Sequence, residues 1–499
     1  MRTHPGCPIV LTADRTLTAG YKLLFDGMLA ASQTSSTPPF LLSALLMPPG
    51  GSRVAPLGQR RIEAALISAG FAPEDIAVTD ERGLAGAIGP NTRIVGITSG
   101  EPTGLGMNSS TMTCVAGGHI YPEVMFRRLL NSIHRRIKAT SCGAKVVLGG
   151  AGAWQLAGDE SARRRLGIDH VVVGYAEANA AEVFRGIMSG DDVPDVIQGM
   201  GPRAEDIPPI RACSTMGVVE LSRGCGLGCD FCTIARVPMI HLPEETILAD
   251  VRANLAGGIH SAALLSEDFF RYGANGMRVN PRRLISLLES LRSIDGLGLI
   301  QTDHSAIYSV SQFSDDDLRR VRELMVGDTG CRHPWLNVGV ETAADDLLRA
   351  NGGAPKMSRV KPGEWGKFCA CQLHRLCRAG FMPMASLMIG LPGESRADIE
   401  RTLDWVESVS GLPVMIFPML HAPIDGSKPI GICELHSLHW DLVRACYRLN
   451  FRWTPRMYWD NQKAVGVSVA RRILLQLMGR GQVLQWNAFF ALHSARAPK

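Results

Sequence analysis

The chain has 499 residues, 46% hydrophobic and 20% charged, which excludes a disordered chain and allows roughly two to four globular domains. Its 52 basic and 47 acidic residues leave a net charge of only +5. That balance excludes the strongly basic footprint of a nucleic-acid binder, so no nucleic-acid partner is expected.

No stretch approaches the roughly 18 consecutive apolar residues of a membrane span, so no membrane partner is expected. Met1 to Val10 shows no long apolar run of the kind a secretory signal carries, so a cytoplasmic location is expected. Disulfides are then disfavoured, and the 13 cysteines are to be searched for metal or redox sites.

Residues 1–39 read as a leader with a Ser/Thr/Pro-rich end and no assigned chemistry. From residue 40, short apolar runs alternate with amphipathic segments. Leu41–Met47, Arg93–Thr98, Lys145–Gly150 and His170–Tyr175 are expected strands; Gly58–Ala69, Tyr121–Lys138 and Glu177–Met188 are expected helices. Alternation of this kind predicts an α/β, doubly wound, Rossmann-like domain over 40–190. Residues 191–212, rich in Asp, Gly and Pro, read as a linker.

A second βα series fills 213–430. Its expected strands are Gly217–Leu221, Ser261–Leu265, Leu297–Gln301, Leu336–Val340, Ala385–Ile389 and Val414–Phe417. Helices are expected near 244–256, 281–293, 315–325, 363–379 and 396–409. Six strands with intervening helices predict a partial (β/α)6 barrel whose chemistry sits at the carboxyl ends of the strands. Residues 431–499 form a helical C-terminal region, with helices expected at Glu434–Leu449 and Lys463–Met478 and the aromatic residues Phe451, Trp453, Tyr458 and Trp459 between them.

The first expected barrel strand runs into Cys225-Gly-Leu-Gly-Cys229-Asp-Phe-Cys232. Three thiolates within eight residues can wrap one iron–sulfur cluster if the backbone turns tightly, and Gly224, Gly226 and Gly228 permit that. Three ligands leave one iron of a four-iron cluster open. A zinc site would instead call for a fourth protein ligand and paired C-x-x-C spacing.

The C-x-x-x-C-x-x-C spacing, with Phe231 before the third cysteine, resembles the signature of the radical S-adenosylmethionine (SAM) superfamily. The resemblance covers residues 215–425. It implies a 4Fe-4S cluster on Cys225, Cys229 and Cys232, whose open iron binds SAM and whose electron cleaves it to a 5′-deoxyadenosyl radical. It also implies SAM contacts from Phe231, from Glu267 at the end of the second strand, from Glu341 at the end of the fourth, and from Gly390 and Pro392 in the turn after the fifth. Asp303 and His304 follow the third strand at the active end. They are read as a structural pair or as contacts to substrate or cobalamin with acid–base capacity.

The front domain resembles the cobalamin-binding domain fused before many radical SAM barrels. Gly149, Gly150 and Gly152 after one strand and Gly174 after the next are the positions at which a nucleotide tail would approach the sheet. The loop Ser99–Cys114 would face the corrin edge. Many such domains carry D-x-H-x-x-G after the first strand. The corresponding stretch here is Met47–Gly58, which contains no histidine, so cobalamin would lack a histidine ligand from that motif.

Cys331, Cys369, Cys371 and Cys377 could suggest a second cluster. In a helix over 363–379, however, Cys369 and Cys371 point about 200° apart, which favours a packing role. The expected function is a cobalamin-dependent radical SAM methyltransferase acting on an unactivated carbon of a biosynthetic intermediate. The alternatives are a cyclase or rearrangement enzyme with the same cofactors, or a radical SAM enzyme with a non-binding front domain. A methylthiotransferase is disfavoured because residues 40–190 hold only Cys114 and Cys142. The expected partners are a small-molecule or peptide substrate and an external electron donor such as flavodoxin or ferredoxin.

Overall fold

The computed structural model describes residues 5–27, 32–38, 40, 54–424 and 430–497. The chain divides into two compact units. The first comprises 1–21, 26–219 and 242–259, and the second 22–25, 220–241 and 260–499.

The first unit is built on six strands: β1 (Ile9–Ala13), β2 (Ile76–Thr79), β3 (Ile94–Thr98), β4 (Lys145–Gly149), β5 (His170–Val173) and β6 (Val196–Gln198). They form one parallel sheet in the order β2-β1-β3-β4-β5-β6. Side chains alternate between its faces, as strand geometry requires. Val10, Val95, Ile97, Val146 and Leu148 pack with Phe126, Leu129 and Ile133 of the helix Tyr121–Thr140. Ile9, Leu11, Ile94 and Val147 pack on the opposite side with Leu66 of Leu57–Ser68 and Phe184 of Ala180–Ser189. Each such buried aliphatic side chain contributes about 1.5–3 kcal/mol.

This unit corrects the reading of the first 39 residues as a leader. Ile9–Ala13 is fully buried and pairs with strands on both sides. Five residues between Pro8 and Asp14 are too short to show a period. The strand expected at Leu41–Met47 lies outside the described residues. The proposed linker also contributes to the sheet, because Val196–Gln198 pairs with β5. Within Ser99–Cys114, Met107 begins a helix that runs to Ala116.

Apart from residues 22–25, the second unit starts at Glu220, in the strand β7 (Val218–Glu220). After it come β8 (Ser222–Arg223), β9 (Ile240–His241), β10 (Ala262–Leu265), β11 (Ile300–Thr302), β12 (His304–Ala306), β13 (Trp335–Glu341), β14 (Met382–Ile389) and β15 (Met415–Leu420). The ladders are β11-β10-β7 and β12-β13-β14-β15. The registered pairs β10–β11, β12–β13, β13–β14 and β14–β15 are parallel. The third strand of the expected series is thus split into β11 and β12 at Asp303. Helices Pro281–Arg292, Asp315–Val326, Trp365–Arg378 and Arg396–Ser408 connect the later strands. The helix Glu244–Ala256 falls between two barrel strands in sequence but belongs to the first unit.

Two long helices, Ser437–Ala464 and Val469–Arg496, close the chain. They extend well beyond the expected boundaries, and Phe451, Trp453, Tyr458 and Trp459 lie within the first of them. Asn450 fixes it to the sheet, accepting the Ile416 amide and donating to the Ile416 carbonyl, each at 2.7 Å. Among the described residues, no helix is long and apolar enough to cross a membrane.

Candidate functional site

The cysteine loop is a hairpin closed at its base by the antiparallel pair β8–β9. Inside it, the Cys225 amide donates to the Val237 carbonyl at 3.0 Å and the Gly228 amide to the Ala235 carbonyl at 2.9 Å. Gly224 shows why glycine is needed: φ is +75°, and a Cβ would stand 2.4 Å from the Pro238 carbonyl oxygen.

Two neighbouring segments hold the hairpin. Arg271 Nη1 donates to the Cys225 carbonyl at 2.8 Å. On the other side the Asp230 amide donates to the Asn351 carbonyl at 3.2 Å. There Gly352 approaches so closely that a Cβ would meet the Gly228 oxygen at 2.4 Å.

Cys229 is buried and Cys225 and Cys232 are half-buried. Burial pushes all three thiols upward, Cys225 to about 11, while the Lys356 ammonium opposes that shift at each of them. Among the described residues, no three His, Cys, Asp or Glu side chains converge as on a single metal ion. A four-iron cluster is larger than one ion and spaces its thiolates further apart. Three thiols, glycine turns and a nearby cation fit such a cluster.

Lys356 was not singled out from the sequence. Its Nζ donates to Glu341 Oε1 at 2.6 Å and lies 5.9 Å from the centroid of the buried Phe231 ring. Glu341 itself has φ +68° at a register shift in β13, and Ser386 Oγ donates to its Oε2 at 3.3 Å. Both carboxylate oxygens therefore have partners within the unit.

The other expected SAM positions fall at strand ends as the series requires. Glu267 follows β10, and burial raises its carboxyl while His304 opposes the shift. Its neighbour Asp268 is completely buried and accepts from the Ala306 amide at 3.1 Å and Ser309 Oγ at 2.6 Å. In the turn after β14, the Gly390 amide donates to Glu394 Oε2 at 2.9 Å, and Asn351 Nδ2 donates to the Pro392 carbonyl at 3.1 Å.

Asp303, at the break between β11 and β12, pairs with His304 Nδ1 at 3.1 Å and accepts from Asn337 Nδ2 at 2.6 Å. The Asp303 charge pushes His304 up to about 9, with Glu267 and Glu341 adding to the effect. The same pairing lowers Asp303. At neutral pH this is an imidazolium paired with the Asp303 carboxylate.

In the first unit the strand order reverses between β1 and β3, the switch point at which open α/β sheets bind ligands. Thr12 Oγ1 in β1 and Ser99 Oγ just after β3 are buried without a hydrogen-bond partner. Gly149, at the end of β4, has nothing within 4 Å of where a Cβ would be. Unpartnered hydroxyls and an open glycine at the strand ends fit a ligand with hydrogen-bonding groups, such as the tail of cobalamin.

The other glycines are accounted for by the protein's own backbone. A Cβ on Gly150 would lie 2.7 Å from the Ser99 carbonyl oxygen, and one on Gly152 would lie 2.3 Å from that of Gly100. Gly174 has φ +89° and packs beside Gln198. The segment after the true first strand is Asp14–Gly20, not Met47–Gly58, and it too contains no histidine.

Cys369 is buried and Cys371 exposed, as opposite faces of one helix require. Cys331 lies against Asp460 with its Sγ 3.6 Å from Oδ2.

Residues 219–406 match the Radical SAM superfamily. Among curated proteins, the chain is similar to tRNA-2-methylthio-N(6)-dimethylallyladenosine synthases. It is 23% identical over 282 residues to that of Roseobacter denitrificans, covering 55% of this chain and 60% of the relative. It is 23% identical over 278 residues to that of Agrobacterium fabrum, covering 54% and 57%. The chain thus spans less than two thirds of the length of these relatives.

Among solved structures, it resembles the radical S-adenosylmethionine methyltransferase TsrM from Kitasatospora setae with cobalamin and a 4Fe-4S cluster bound. The TM-score is 0.52 at 14% identity, over 84% of this chain and 74% of that one. The same enzyme with tryptophan substrate and a SAM analogue gives 0.52 at 15% identity, over 84% and 75%. With the cysteine hairpin and the strands β10 to β14 inside the matched range, residues 219–406 are a domain of the radical SAM superfamily.

Proposed function

We propose that this chain is a cobalamin-dependent radical SAM methyltransferase acting on an unactivated carbon of a small-molecule or peptide substrate. The observation that carries the proposal is the hairpin of Cys225, Cys229 and Cys232, three thiols on tight glycine turns at the end of the first strand of a parallel βα series, with the buried Lys356 ammonium 5.9 Å from the ring of Phe231 within it. The cobalamin part is supported by the partnerless hydroxyls of Thr12 and Ser99 at the switch point. A further support is the likeness in fold to a methyltransferase whose structure contains cobalamin.

When bound, the cluster supplies the electron that cleaves SAM, and cobalamin carries the methyl group to be passed on. The chain's own residues bind and orient. The three cysteines hold the cluster, Phe231 covers the hairpin, and Glu267 offers a carboxylate to a SAM amino group. Gly390 and Pro392 shape the turn beside the adenine. His304, kept protonated by Asp303, presents a proton and a positive charge to the substrate. A low-potential donor such as flavodoxin or ferredoxin delivers electrons from outside.

The curated relatives are methylthiotransferases by name, which calls for weighing that reaction. The first unit does gain Cys7 once β1 is recognised. Cys7 and Cys142 precede β1 and β4, at the amino edge of the parallel sheet, whereas Cys114 lies on the helix that follows the carboxyl end of β3 and Cys213 lies beside the helix Leu57–Ser68, its carbonyl accepting from Arg60 Nε at 3.1 Å. Cysteines at opposite edges cannot share a second cluster, so methyl transfer remains the preferred reading.

Iron and corrin content after anaerobic purification with hydroxocobalamin, iron and sulfide is the test. About four irons and near-stoichiometric cobalt per chain, followed by a product one methyl heavier alongside 5′-deoxyadenosine, is the expected outcome. Iron without cobalt would remove cobalamin from the proposal. SAM cleavage with both cofactors but no mass gain would replace methylation with rearrangement.

A further inference from the structure

Lys356 is a buried ammonium that no step above requires. Three features of the chain converge on it. Gly339 has no Cβ where one would lie 2.2 Å from Glu341 Oε1 and 3.1 Å from Lys356 Nζ. Glu341 adopts a left-handed backbone, uncommon for a residue with a side chain, at the register shift of β13. The short helix Ala354–Met357 then delivers Lys356 to that carboxylate. Its Nζ also lies 5.9 Å from the centroid of the ring of Phe231, the residue between Asp230 and Cys232 in the cysteine hairpin.

The segment carrying Lys356 is also the one that grips the hairpin, through Asn351 with the Asp230 amide and Gly352 against Gly228. A strained glutamate, an emptied glycine position and a clamped loop together fix one charge beside the cysteines. Other cations near the loop are already engaged: Arg271 donates to the Cys225 carbonyl and faces the Asp268 carboxylate, with Nε 3.9 Å from Oδ2, Arg223 pairs with Glu220, and Arg236 pairs with Asp230.

We infer that Lys356, positioned by Glu341, is the residue that holds up the reduction potential of the cluster carried by Cys225, Cys229 and Cys232. The inference rests on the cluster reading above. Reduction adds one electron from an external one-electron donor and moves no proton. The total charge of cluster and thiolates becomes more negative by one. A fixed positive charge in a buried setting stabilises the reduced form more than the oxidised one. Lys356 is a positioning residue and touches no reacting atom.

The test is an electron-paramagnetic-resonance redox titration of the reconstituted protein, with iron and sulfide counted in each sample. Lys356→Met is expected to keep the cluster and shift its midpoint to a more negative potential, whereas Lys356→Arg stays near wild type. Because Lys356→Met strands a buried carboxylate, the double variant Lys356→Met/Glu341→Gln is titrated as well. It too is expected below wild type, since it is the ammonium that faces the hairpin, 5.9 Å from the ring of Phe231.

A wild-type midpoint in either cluster-loaded variant that lacks the ammonium overturns the inference and leaves the cluster reading intact. Loss of the cluster from a double variant whose circular dichroism is native also overturns it, by making Lys356 an assembly residue. Absence of a cluster from the wild-type protein sinks the reading on which the inference rests.

Discussion

Arg271 binds the carbonyl oxygen of Cys225 from Nη1 at 2.8 Å, so the first cysteine of the hairpin is held through its backbone by a side chain from the segment after β10. Arg271 sits in a 3-10 turn, Phe269–Arg271, directly after the buried Asp268. Asp268 in turn accepts from the Ala306 amide and Ser309. The cysteine loop, β10 and β12 are thereby tied in one hydrogen-bonded chain.

Replacing Arg271 with Ala removes a charge-assisted bond of about 1.5–3 kcal/mol. The expected result is a stability loss of that order in urea and faster loss of iron from the reconstituted protein on dilution. An unchanged urea midpoint with unchanged iron retention would show that the hairpin orders itself.

The Asp303–His304 pair gives a pH signature. His304 is raised in the folded chain from its ordinary 6.5 to about 9. Its pairing therefore contributes fully to stability below pH 6.5, and that contribution is lost as pH rises from 6.5 through about 9. Half of the His304 side chain is exposed, so the stability effect is small. The titration itself is the better readout. The His304 ring resonances should titrate well above 6.5, and Asp303→Asn should bring the midpoint back down. A wild-type midpoint near 6.5 would remove the imidazolium from the proposed site.

A buried ion pair holds the helix Glu244–Ala256 to the first unit. Arg61 Nη1 donates to Asp250 Oδ1 at 3.1 Å, and the Ile210 amide donates to the same oxygen at 2.9 Å. Both side chains are at most 1% exposed. Removing one partner from such a pair strands a buried charge and typically costs about 3–5 kcal/mol. Arg61→Ala is expected to destabilise the first unit by that amount in a denaturant melt, whereas a loss under about 1 kcal/mol would mean that water reaches Asp250.

These contacts show where the sequence was legible. The cysteine spacing and the six-strand series could be read because each is local: three thiols within eight residues, and apolar runs between turns. What escaped was set by tertiary placement. Ile9–Ala13 is the sheet's second strand in space, yet five residues show no periodicity and looked like part of a leader. Glu244–Ala256 was expected as a helix, but its tie to the first unit comes from tertiary contacts: Arg61, far away in sequence, and the Ile210 amide on Asp250, and the Ser214 amide on Asn254. Lys356 lies in a Gly-Gly-Ala-Pro turn with no motif around it. The nearest sequence signal was Gly339, two residues before Glu341 on a strand, where alternation puts both on one face.

The front domain offers the sharpest separation between glycines that serve packing and a position open to a ligand. Gly152 would place a Cβ 2.3 Å from the Gly100 carbonyl and 2.5 Å from Pro102. Gly152→Ala must move backbone, and overpacking of that kind costs about 1–3 kcal/mol. Gly149 has open space and no left-handed φ, so Gly149→Ala should leave the cobalamin-free protein as stable as wild type or slightly more so. Ser99→Ala removes a buried hydroxyl that has no partner, which should raise the stability of the cobalamin-free protein rather than lower it. If the crevice between β1 and β3 takes the corrin's tail, Gly149→Ala and Ser99→Ala will both melt normally yet retain less corrin absorbance after gel filtration. Gly152→Ala will lose stability first. Full corrin retention by both Gly149→Ala and Ser99→Ala would move any cobalamin away from this crevice, and the unpartnered hydroxyls would then need another ligand.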